Sequence, residues 1–404
     1  MVECRHIEGR FSSIWIFYTH YLYLNWNRSL QISPLTQVSV VIPTVNPGER
    51  LRDLLTELLK CKSQDFEIVI NLNSPGSDFS FPIDERLKIF VEPLRLDVAT
   101  NWTHAFQNSE GNYIWLIGDD DYILADQLSE MINFLETSKS ECITFNGWSY
   151  LFPSELTKEH ALARDRHFNF AKSLNGILTS EQKENLIRSM YKFVPQLPLN
   201  LQLTVFSREI FMQIGGEFRM PFPDHIALME LLAVAEKWEI IDRRFCVVGM
   251  ASTSFGNSAY SKHDSAGENY LGLESSENNF ASGNILNSVM LNWLRTLSIT
   301  NTRFAKYKPS ISDFTLRQIG FNFRLWRSRE IELKVFLSTI KKIPVTQVFL
   351  AVLSGFKVRN LRLVFGILRK KPGVEKIIGS KFETVEFKSI KEYADSIREM
   401  NFQL

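Results

Sequence analysis

The chain has few cysteines and a net charge close to zero. The first observation argues against metal-knuckle and disulfide-rich proteins, and the second against nucleic-acid-binding proteins. The four cysteines among the 404 residues are widely separated and form no Cys-x-x-Cys pair. This spacing argues against a zinc knuckle or a disulfide-stapled scaffold and is typical of a reducing compartment. The formal net charge of +1 gives no reason to expect a nucleic acid as partner.

Long apolar runs, internal repeats and low-complexity tracts are absent from the sequence. Residues 11–26 are rich in aromatics but too few for a membrane-spanning helix, and His20 and Asn25 interrupt them. The segment also lacks the small-residue cleavage site of a signal peptide. Three interpretations of this N-terminal extension stay open: a segment covered by a partner, an interfacial anchor, or translated sequence upstream of the natural start.

The composition that is present is typical of a globular protein with a large core. Hydrophobic residues make up 45% of the chain and charged residues 23%, which are ordinary proportions for a folded domain. The length predicts about two to three domains.

β-Branched runs alternate with amphipathic helical patterns in the first part of the chain. The predicted strands are residues 38–44, 66–71, 87–91 and 113–117, and the predicted helices between them are residues 49–59 and 99–107. This order predicts an α/β fold with an open, mostly parallel sheet and helices on both faces. Ligands bind at the carboxyl ends of strands in such sheets, where Thr44, Asn73 and Asp119 fall.

The fourth predicted strand ends at a run of three carboxylates. Ile117 and Gly118 are followed by Asp119, Asp120 and Asp121. Adjacent carboxylates repel one another, so ionised side chains packed this closely usually need a cation. Asp119 and Asp121 lie two residues apart and can point at one ion. A solvated acidic turn or a helix N-cap is the plainer alternative.

The middle of the chain mixes helices, strands and loops. Residues 208–216 predict a helix closed by glycine, and a second helix opens at Pro223 with Asp224 as its natural cap. Residues 240–248 predict a strand. The segment 251–282 is dense in Ser, Gly and Asn and predicts a mobile loop.

From residue 284 onward the pattern is helical, and part of this region is strongly basic. Residues 334–376 carry ten Lys and Arg side chains against a single acidic residue, Glu375, with apolar residues between them. Such a region suits contact with a membrane face. A solvated helical face is an equally good interpretation.

Motifs in this order and spacing resemble those of the family 2 glycosyltransferases, which have the GT-A fold. Residues 40–46 resemble the family's opening strand, and residues 71–78 lie where the family usually has Asp-Asp-Gly-Ser. Asn71 or Asn73 thus replaces the acid that contacts the base. Residues 111–121 resemble the stretch Gly-x-Tyr-Ile-x-x-Leu-Asp-x-Asp-Asp, with Gly118 at the family's first Asp.

Two further matches extend the resemblance to about residue 256. Gly215, Gly216 and Phe218 resemble the Gly-Gly-Phe before the acceptor site, with Glu217 inserted, and Asp224 falls where the catalytic Asp is expected. Asn101 matches a family asparagine that comes before the acidic motif, although the residue before it is a threonine where arginine is common.

The resemblance implies a three-part chain and an activity. Residues 1–36 are an extension, residues 37–255 a GT-A catalytic domain, and residues 256–404 a loop followed by a mainly helical, basic region. The implied enzyme is a hexosyltransferase-type, nucleotide-sugar-dependent transferase that acts with inversion on a glycan or lipid-linked acceptor. This activity is typical of bacterial surface-polysaccharide biosynthesis in the cell envelope. Such an enzyme is expected in the cytoplasm, peripheral at the inner face of the cell membrane.

The resemblance also assigns roles to individual residues. Asp224 is the expected general base, and Glu230 on the same helix is the next candidate. The expected contacts to the nucleotide sugar are Thr44, Asn46, Asn73, Asn101, Asp119 and Asp120. The expected ligands of Mg²⁺ or Mn²⁺ are Asp121, Asp120 and Asp119, with His263 as a further candidate. These ions suit oxygen donors.

Two other functions are compatible with parts of the pattern. A non-catalytic GT-A-like module would bind a nucleotide or a glycan, and the replacement of the base-contacting acid leaves room for it. A nucleotidyltransferase would need a glycine-rich, basic phosphate loop after the first strand, and residues 45–50 are a poor version of one.

Overall fold

The computed structural model describes residues 37–152, 161–168, 174–193, 199–251, 285–327, 329, 331–368 and 385–401. The N-terminal extension, residues 252–284 and part of the basic region lie outside the described residues, so the loop predicted for 251–282 and His263 are not described beyond residue 251. Within them the predicted α/β architecture is confirmed. A sheet is flanked by helices, and a mainly helical region follows.

Ten strands form one sheet in the described part of the chain. They are β1 (Val38–Thr44), β2 (Phe66–Leu72), β3 (Leu87–Val91), β4 (Tyr113–Leu116), β5 (Cys142–Leu151), β6 (Ala161–Phe168), β7 (Gly176–Ile177), β8 (Thr204–Ser207), β9 (Trp238–Met250) and β10 (Val385–Phe387). The strands predicted from periodicity therefore start at the expected residues or close to them.

Twelve α-helices lie in the described residues. They are α1 (Glu49–Leu58), α2 (Val98–Gln107), α3 (Ala125–Thr137), α4 (Ser180–Tyr191), α5 (Arg208–Gln213), α6 (Pro223–Val234), α7 (Ile285–Thr300), α8 (Ile311–Arg327), α9 (Leu333–Lys341), α10 (Val345–Gly355), α11 (Val358–Leu368) and α12 (Ile390–Asn401). No single one of them is long and apolar enough to cross a membrane. Together α9 and α10 have that composition, but they meet at a 106° bend.

The sheet has a parallel half and a mixed half. Strands β3, β2, β1 and β4 are parallel neighbours in that order, so Val38 lies opposite both Phe66 and Tyr113. Beyond β4 the order is β8, β5, β6 and β10, all antiparallel to their neighbours, while β9 pairs with β5 in parallel. The expected mostly parallel sheet therefore describes the half that carries the sequence motifs.

The parallel half is covered on both faces, which explains its apolar runs. All seven residues of β2 are buried, and the α1 side chains that face the sheet are leucines, including Leu51, Leu54 and Leu58. Strands buried on both faces need no alternation of polar and apolar residues. Because the leucines of α1 recur at helical spacing, they lie on one side of the helix, and this side covers one face of the sheet.

A buried carboxylate joins the amino ends of the parallel strands. Glu67 accepts hydrogen bonds from the Ser39 hydroxyl at 2.6 Å and the Gly111 N–H at 3.2 Å, and it pairs with Lys88 at 2.8 Å. Burial raises the pKa of Glu67, but Lys88 and these hydrogen bonds outweigh that effect, so its pKa lies below the ordinary value. A Cβ at Gly111 would lie 2.6 Å from the Ser39 nitrogen, which explains the motif glycine by close packing.

The last described residues return to the sheet. Strand β10 pairs with β6, and the Tyr150 hydroxyl donates to the Phe387 carbonyl at 3.1 Å. In α12, Arg398 forms an ion pair with Glu57 on α1 and another with Asp126 on α3. The division of the chain into three parts stays a prediction, but residues 385–401 pack with the sheet domain.

Asp313 connects three helices of the C-terminal region. Its carboxylate is 1% exposed, accepts hydrogen bonds from Ser310, Ser354 and Asn360, and pairs with Arg359 at 2.9 Å. Burial raises the pKa of Asp313, but the hydrogen bonds and Arg359 outweigh burial, so the pKa falls to about 2. The charged carboxylate therefore ties α8 to α10 and α11.

We expect Asp313→Asn to lower the free energy of unfolding by roughly 2 kcal/mol at neutral pH. The folded pKa of about 2 lies below the ordinary 3.8, so the contribution is complete above about pH 4 and is lost as the pH falls further. Urea unfolding of both proteins tests this, with Glu136→Gln as an exposed control. Equal stability of Asp313→Asn and its parent at neutral pH would contradict this role.

Candidate active site

The acidic run forms a tight turn at the carboxyl end of β4, beside the end of β1. The Ile117 N–H still donates to the Val41 carbonyl at 3.0 Å, and the chain then turns so that the Asp121 N–H reaches the Gly118 carbonyl at 3.3 Å. We call residues 118–121 the acidic loop. The hydroxyl of Thr44 donates to the Asp119 carboxylate. The structure thus brings together two residues that the strand-end argument predicted to be neighbours.

Asp121 holds the acidic loop in shape. It is 2% exposed, and its two carboxylate oxygens accept the N–H of Gly118 at 2.7 Å and the N–H of Gly249 at 2.9 Å. Burial, and then the charge of Asp120, raise the pKa of Asp121 well above its usual range. Both oxygens therefore have partners within the protein.

Strand β9 fixes the position of the acidic loop from the other side. Tyr122 and Val247 exchange two backbone hydrogen bonds, at 2.9 and 2.8 Å. A Cβ at Gly249 would lie 1.7 Å from the Asp120 carbonyl oxygen, so this glycine allows the close approach of the two backbones. Gly249 is a site residue that the sequence analysis missed.

Gly118 leaves room for the neighbouring carboxylate. A Cβ at this position would lie 2.5 Å from the Asp120 Oδ1 and 3.3 Å from the Asp121 Oδ2. The Asp120 side chain thus occupies space that a side chain at position 118 would need. This explains by packing why glycine stands where the family's first Asp is expected.

Negative charge is concentrated in the acidic loop. Burial raises the pKa of Asp119 to about 6, the charge of Asp120 adds to the shift, and Thr44 and Arg50 oppose it. A divalent cation would relieve this repulsion, and carboxylate oxygens suit Mg²⁺ or Mn²⁺. Across the described residues no three His, Cys, Asp or Glu side chains converge as a complete metal site. The residues present therefore fit an ion held by one or two carboxylates together with the phosphates of a ligand.

The predicted amide contacts lie at the same edge of the sheet, but their side chains have partners within the protein. Asn73 is 2% exposed and exchanges two hydrogen bonds with the Leu96 backbone, at 2.9 and 2.7 Å. Asn71 donates to Asn101 at 2.8 Å and to Glu92 at 2.7 Å. Ligand contacts through Asn73 and Asn101 stay predictions. Asn46 lies two residues beyond β1 and is exposed.

An open polar pocket lies beside this network, at the edge strand β3. It encloses about 450 Å³ and is lined by Glu92, His104 and Asn108 among others. The His104 Nδ1 lies 2.8 Å from the Glu92 carboxylate, and Asn108 donates to Asn71 at 3.1 Å. The sequence offered no signal for this pocket, because its residues come from β3 and α2 at irregular spacing.

Asp224 lies in the first turn of α6, directly after Pro223. Its side chain is 37% exposed and forms an ion pair with the neighbouring His225, with the Oδ2 and Nδ1 atoms 3.0 Å apart. Burial raises the pKa of Asp224, but the charge of His225 and the backbone N–H groups of the helix start outweigh burial, so the pKa lies below its ordinary value. Asp224 is therefore ionised at neutral pH, as a base must be.

The turn that leads to Asp224 is anchored on α2. Gly215 and Gly216 have φ angles of +106° and +67°, which favour glycine and end α5 as predicted. The Phe218 N–H then donates to the Thr103 hydroxyl at 2.9 Å. These contacts fix the start of α6 and hence the position of Asp224.

Glu230, the alternative base, has a different environment. It is 3% exposed and accepts a hydrogen bond from Arg219 at 2.7 Å. Burial raises the pKa of Glu230 above its ordinary value, although Arg219 opposes the shift. Glu230 thus links α6 to the preceding turn and is less suited than Asp224 to accept a proton from a ligand.

Comparison with known families identifies the domain that carries the acidic loop. Residues 39–185 match the model of glycosyl transferase family 2. This segment of the chain is similar to that family over about a third of the full length. The matched segment runs from β1 into α4 and includes Thr44 and the acidic loop, whereas Asp224 lies beyond it. The α/β sheet with flanking helices agrees with the GT-A fold that the motifs implied.

Individual relatives are distant. An uncharacterized glycosyltransferase of Haemophilus influenzae is 25% identical over 105 residues, which are 24% of this chain and 42% of that protein. The matched part thus spans less than half of the relative. S. aureus TarS 1–349 in complex with UDP-GlcNAc is similar over 82% of this chain and 90% of its own, with 13% identity and a TM-score of 0.41.

A second solved structure is the mannosyltransferase PcManGT from Pyrobaculum calidifontis in complex with GDP-Man and Mn²⁺. It is similar over 57% of this chain and 64% of its own length, with 14% identity and a TM-score of 0.34.

We expect Gly249→Ala to displace the acidic loop. The added Cβ would meet the Asp120 carbonyl, and such overpacking costs ~1–3 kcal/mol. Urea unfolding should show that loss, and calorimetry should show weaker binding of nucleoside diphosphates. Gly48→Ala is the matched control, since no heavy atom lies within 4 Å of its Cβ position. Parental stability and binding in Gly249→Ala would contradict the packing of the loop against β9.

Proposed function

We propose that this enzyme moves a sugar from a nucleotide-diphosphate sugar to a hydroxyl of a glycan or lipid-linked acceptor, with inversion of the anomeric centre. The observation that carries the proposal is the pairing of Thr44 with Asp119 inside the family 2 segment. It lies at the carboxyl ends of two parallel neighbours, where α/β sheets bind ligands.

The residues at this edge have separate tasks in the proposed mechanism. Asp119, held by the Thr44 hydroxyl, contacts the nucleoside, and the exposed Asn46 adds a polar group nearby. Asp120 together with Asp119 would hold Mg²⁺ or Mn²⁺, which when bound neutralises charge on the departing diphosphate. Asp121 supports them indirectly, because its oxygens accept backbone N–H groups.

Asp224 is the proposed general base. The acceptor hydroxyl loses its proton as its oxygen attacks the anomeric carbon, and the proton passes to the Asp224 carboxylate. Attack from the side opposite the diphosphate inverts that carbon. His225, 3.0 Å from the carboxylate, favours the ionised form before the proton arrives. Its own pKa is raised by Asp224, although burial opposes the shift.

The biological setting follows from the same resemblance. We infer that an enzyme with this acceptor acts in surface-polysaccharide biosynthesis, in the cytoplasm and at the inner face of the cell membrane. This setting is part of the proposal and rests on the family motifs.

A non-catalytic nucleotide-binding or glycan-binding module is the second candidate. It is favoured by the two asparagines, Asn71 and Asn73, whose side chains are held by Asn101, Glu92 and the backbone of Leu96. Incubation with a panel of nucleotide sugars and Mn²⁺ separates the two functions. A ligand-dependent rise in melting temperature with release of nucleoside diphosphate supports the enzyme. The same rise without release or transfer supports the module.

We expect Asp120→Asn to remove the gain in nucleoside-diphosphate affinity that Mn²⁺ provides, and to leave the melting temperature unchanged. Asp121→Asn should instead lower the melting temperature, because a carboxamide cannot accept both backbone N–H groups. Calorimetry with and without chelator measures the first effect, and Asp65→Asn at the opposite end of the sheet is the control. Undiminished Mn²⁺ dependence in Asp120→Asn would exclude Asp120 from the ion site.

We expect Asp224→Asn to stay folded, to bind the donor with parental affinity, and to lose transfer by ~100-fold or more. The N-cap of α6 is Phe222 and not Asp224, which lies within the first turn, so the expected cap role of Asp224 is wrong. Asn has the shape of Asp but cannot accept the proton. Initial rates and donor calorimetry on the same preparation separate the two roles, with Glu217→Gln, an exposed residue before α6, as control. Transfer near the parental rate would make the carboxylate structural.

A further inference from the structure

Helix α10 presents its apolar side to solvent. Val345, Phe349, Val352 and Phe356 recur at the spacing of one helical face, and Phe349 and Phe356 are 62% and 75% exposed. We call the following set of exposed side chains the C-terminal apolar surface: Leu333, Leu337, Val345, Phe349, Leu350, Val352, Leu353 and Phe356. A cluster of exposed apolar side chains of this kind marks an interaction site.

The opposite side of α10 is fixed to the protein by small and polar groups. Ser354 is fully buried and donates to Asp313. A Cβ at Gly355 would lie 3.5 Å from Val364 and 3.7 Å from Leu316, so α8 and α11 pack closely against it. The apolar stripe therefore cannot turn inward without breaking the contacts of Asp313.

The segment that carries the C-terminal apolar surface is basic, although the exposed Glu332 lies directly before it. Residues 333–368 contain six Lys and Arg and no Asp or Glu. Lys334, Lys341, Lys342 and Lys357 are all exposed. A second copy of the chain is a poor partner, because a twofold interface would place these like charges against each other. An anionic surface complements both features.

We propose that the C-terminal apolar surface docks in the headgroup plane of an anionic lipid bilayer. The aromatic and aliphatic side chains of α9 and α10 enter the boundary of the acyl chains, and the lysines contact lipid phosphates. The polar face of α10 is held in the protein by the hydrogen bond of Ser354 to Asp313, which favours an in-plane contact over a span. The 106° bend between α9 and α10 is compatible with that contact. The proposal does not depend on the transferase activity.

The test is flotation of the full chain with vesicles of phosphatidylcholine alone and with a phosphatidylglycerol fraction. We expect binding only to the anionic vesicles, weakened by salt. The triple variant Lys341→Gln/Lys342→Gln/Lys357→Gln should lose on the order of 100-fold in partition coefficient, since each basic residue contributes about five-fold. The control Lys62→Gln/Lys139→Gln/Lys391→Gln removes the same charge from exposed positions elsewhere and should bind normally.

A second pair of variants tests the apolar contribution. Phe349→Ser/Phe356→Ser should lose at least ~10-fold in partition coefficient, whereas Ile83→Ser/Leu94→Ser, which alters two exposed apolar residues near β3, should not. Unchanged melting temperatures show that both proteins are folded. Vesicle binding that survives Phe349→Ser/Phe356→Ser overturns the proposal. An absence of vesicle binding by the parent protein also overturns it. If the parent is then a dimer in analytical ultracentrifugation and Phe349→Ser/Phe356→Ser is a monomer, the surface binds a second copy of the chain instead.

Discussion

The site depends on one buried carboxylate that accepts two backbone N–H groups. Asp121 connects Gly118, at the start of the acidic loop, to Gly249 on β9. Loop and strand are far apart in the sequence. This connection adds to the turn hydrogen bond from the Asp121 N–H to the Gly118 carbonyl and to the contact of Thr44 with Asp119. Burial raises the pKa of Asp119 to about 6, and the charge of Asp120 adds to the shift. The fold that buries the loop therefore keeps it ready for a cation.

The three aspartates of the acidic loop have different contacts, and only the structure shows this. The sequence does not distinguish Asp119, Asp120 and Asp121, but their environments differ. Asp119 accepts a hydrogen bond from Thr44, and the Asp120 side chain occupies the space beside Gly118. Asp121 accepts hydrogen bonds from backbone N–H groups. Spacing indicated only that alternate side chains can share a target. Which oxygen has protein partners is decided by the strand that packs from behind, and no local pattern encodes that strand's position.

The parallel half of the fold was predictable from periodicity, whereas the strand pairing of the mixed half was not. Strand β1 and helix α1 have strong local signals: a β-branched run and a leucine stripe. The insertion of β8 between β4 and β5, by contrast, is a long-range pairing with no local signature. Gly249 could not be predicted for the same reason, because a side chain at this position is excluded by the distant Asp120 carbonyl. The motif glycines Gly215 and Gly216 were found because a helix end has a local geometry.

The return of the chain to the sheet at β10 has a consequence for how the protein folds during synthesis. Strand β6 acquires β10 as its partner only after all the intervening helices have been made, and Arg398 reaches Glu57 later still. Contacts of such long sequence separation form slowly. The nascent sheet domain therefore leaves the ribosome with an open edge, and the helices of the C-terminal region emerge while that edge is still unpaired. Completion of the sheet domain is therefore a late event in folding.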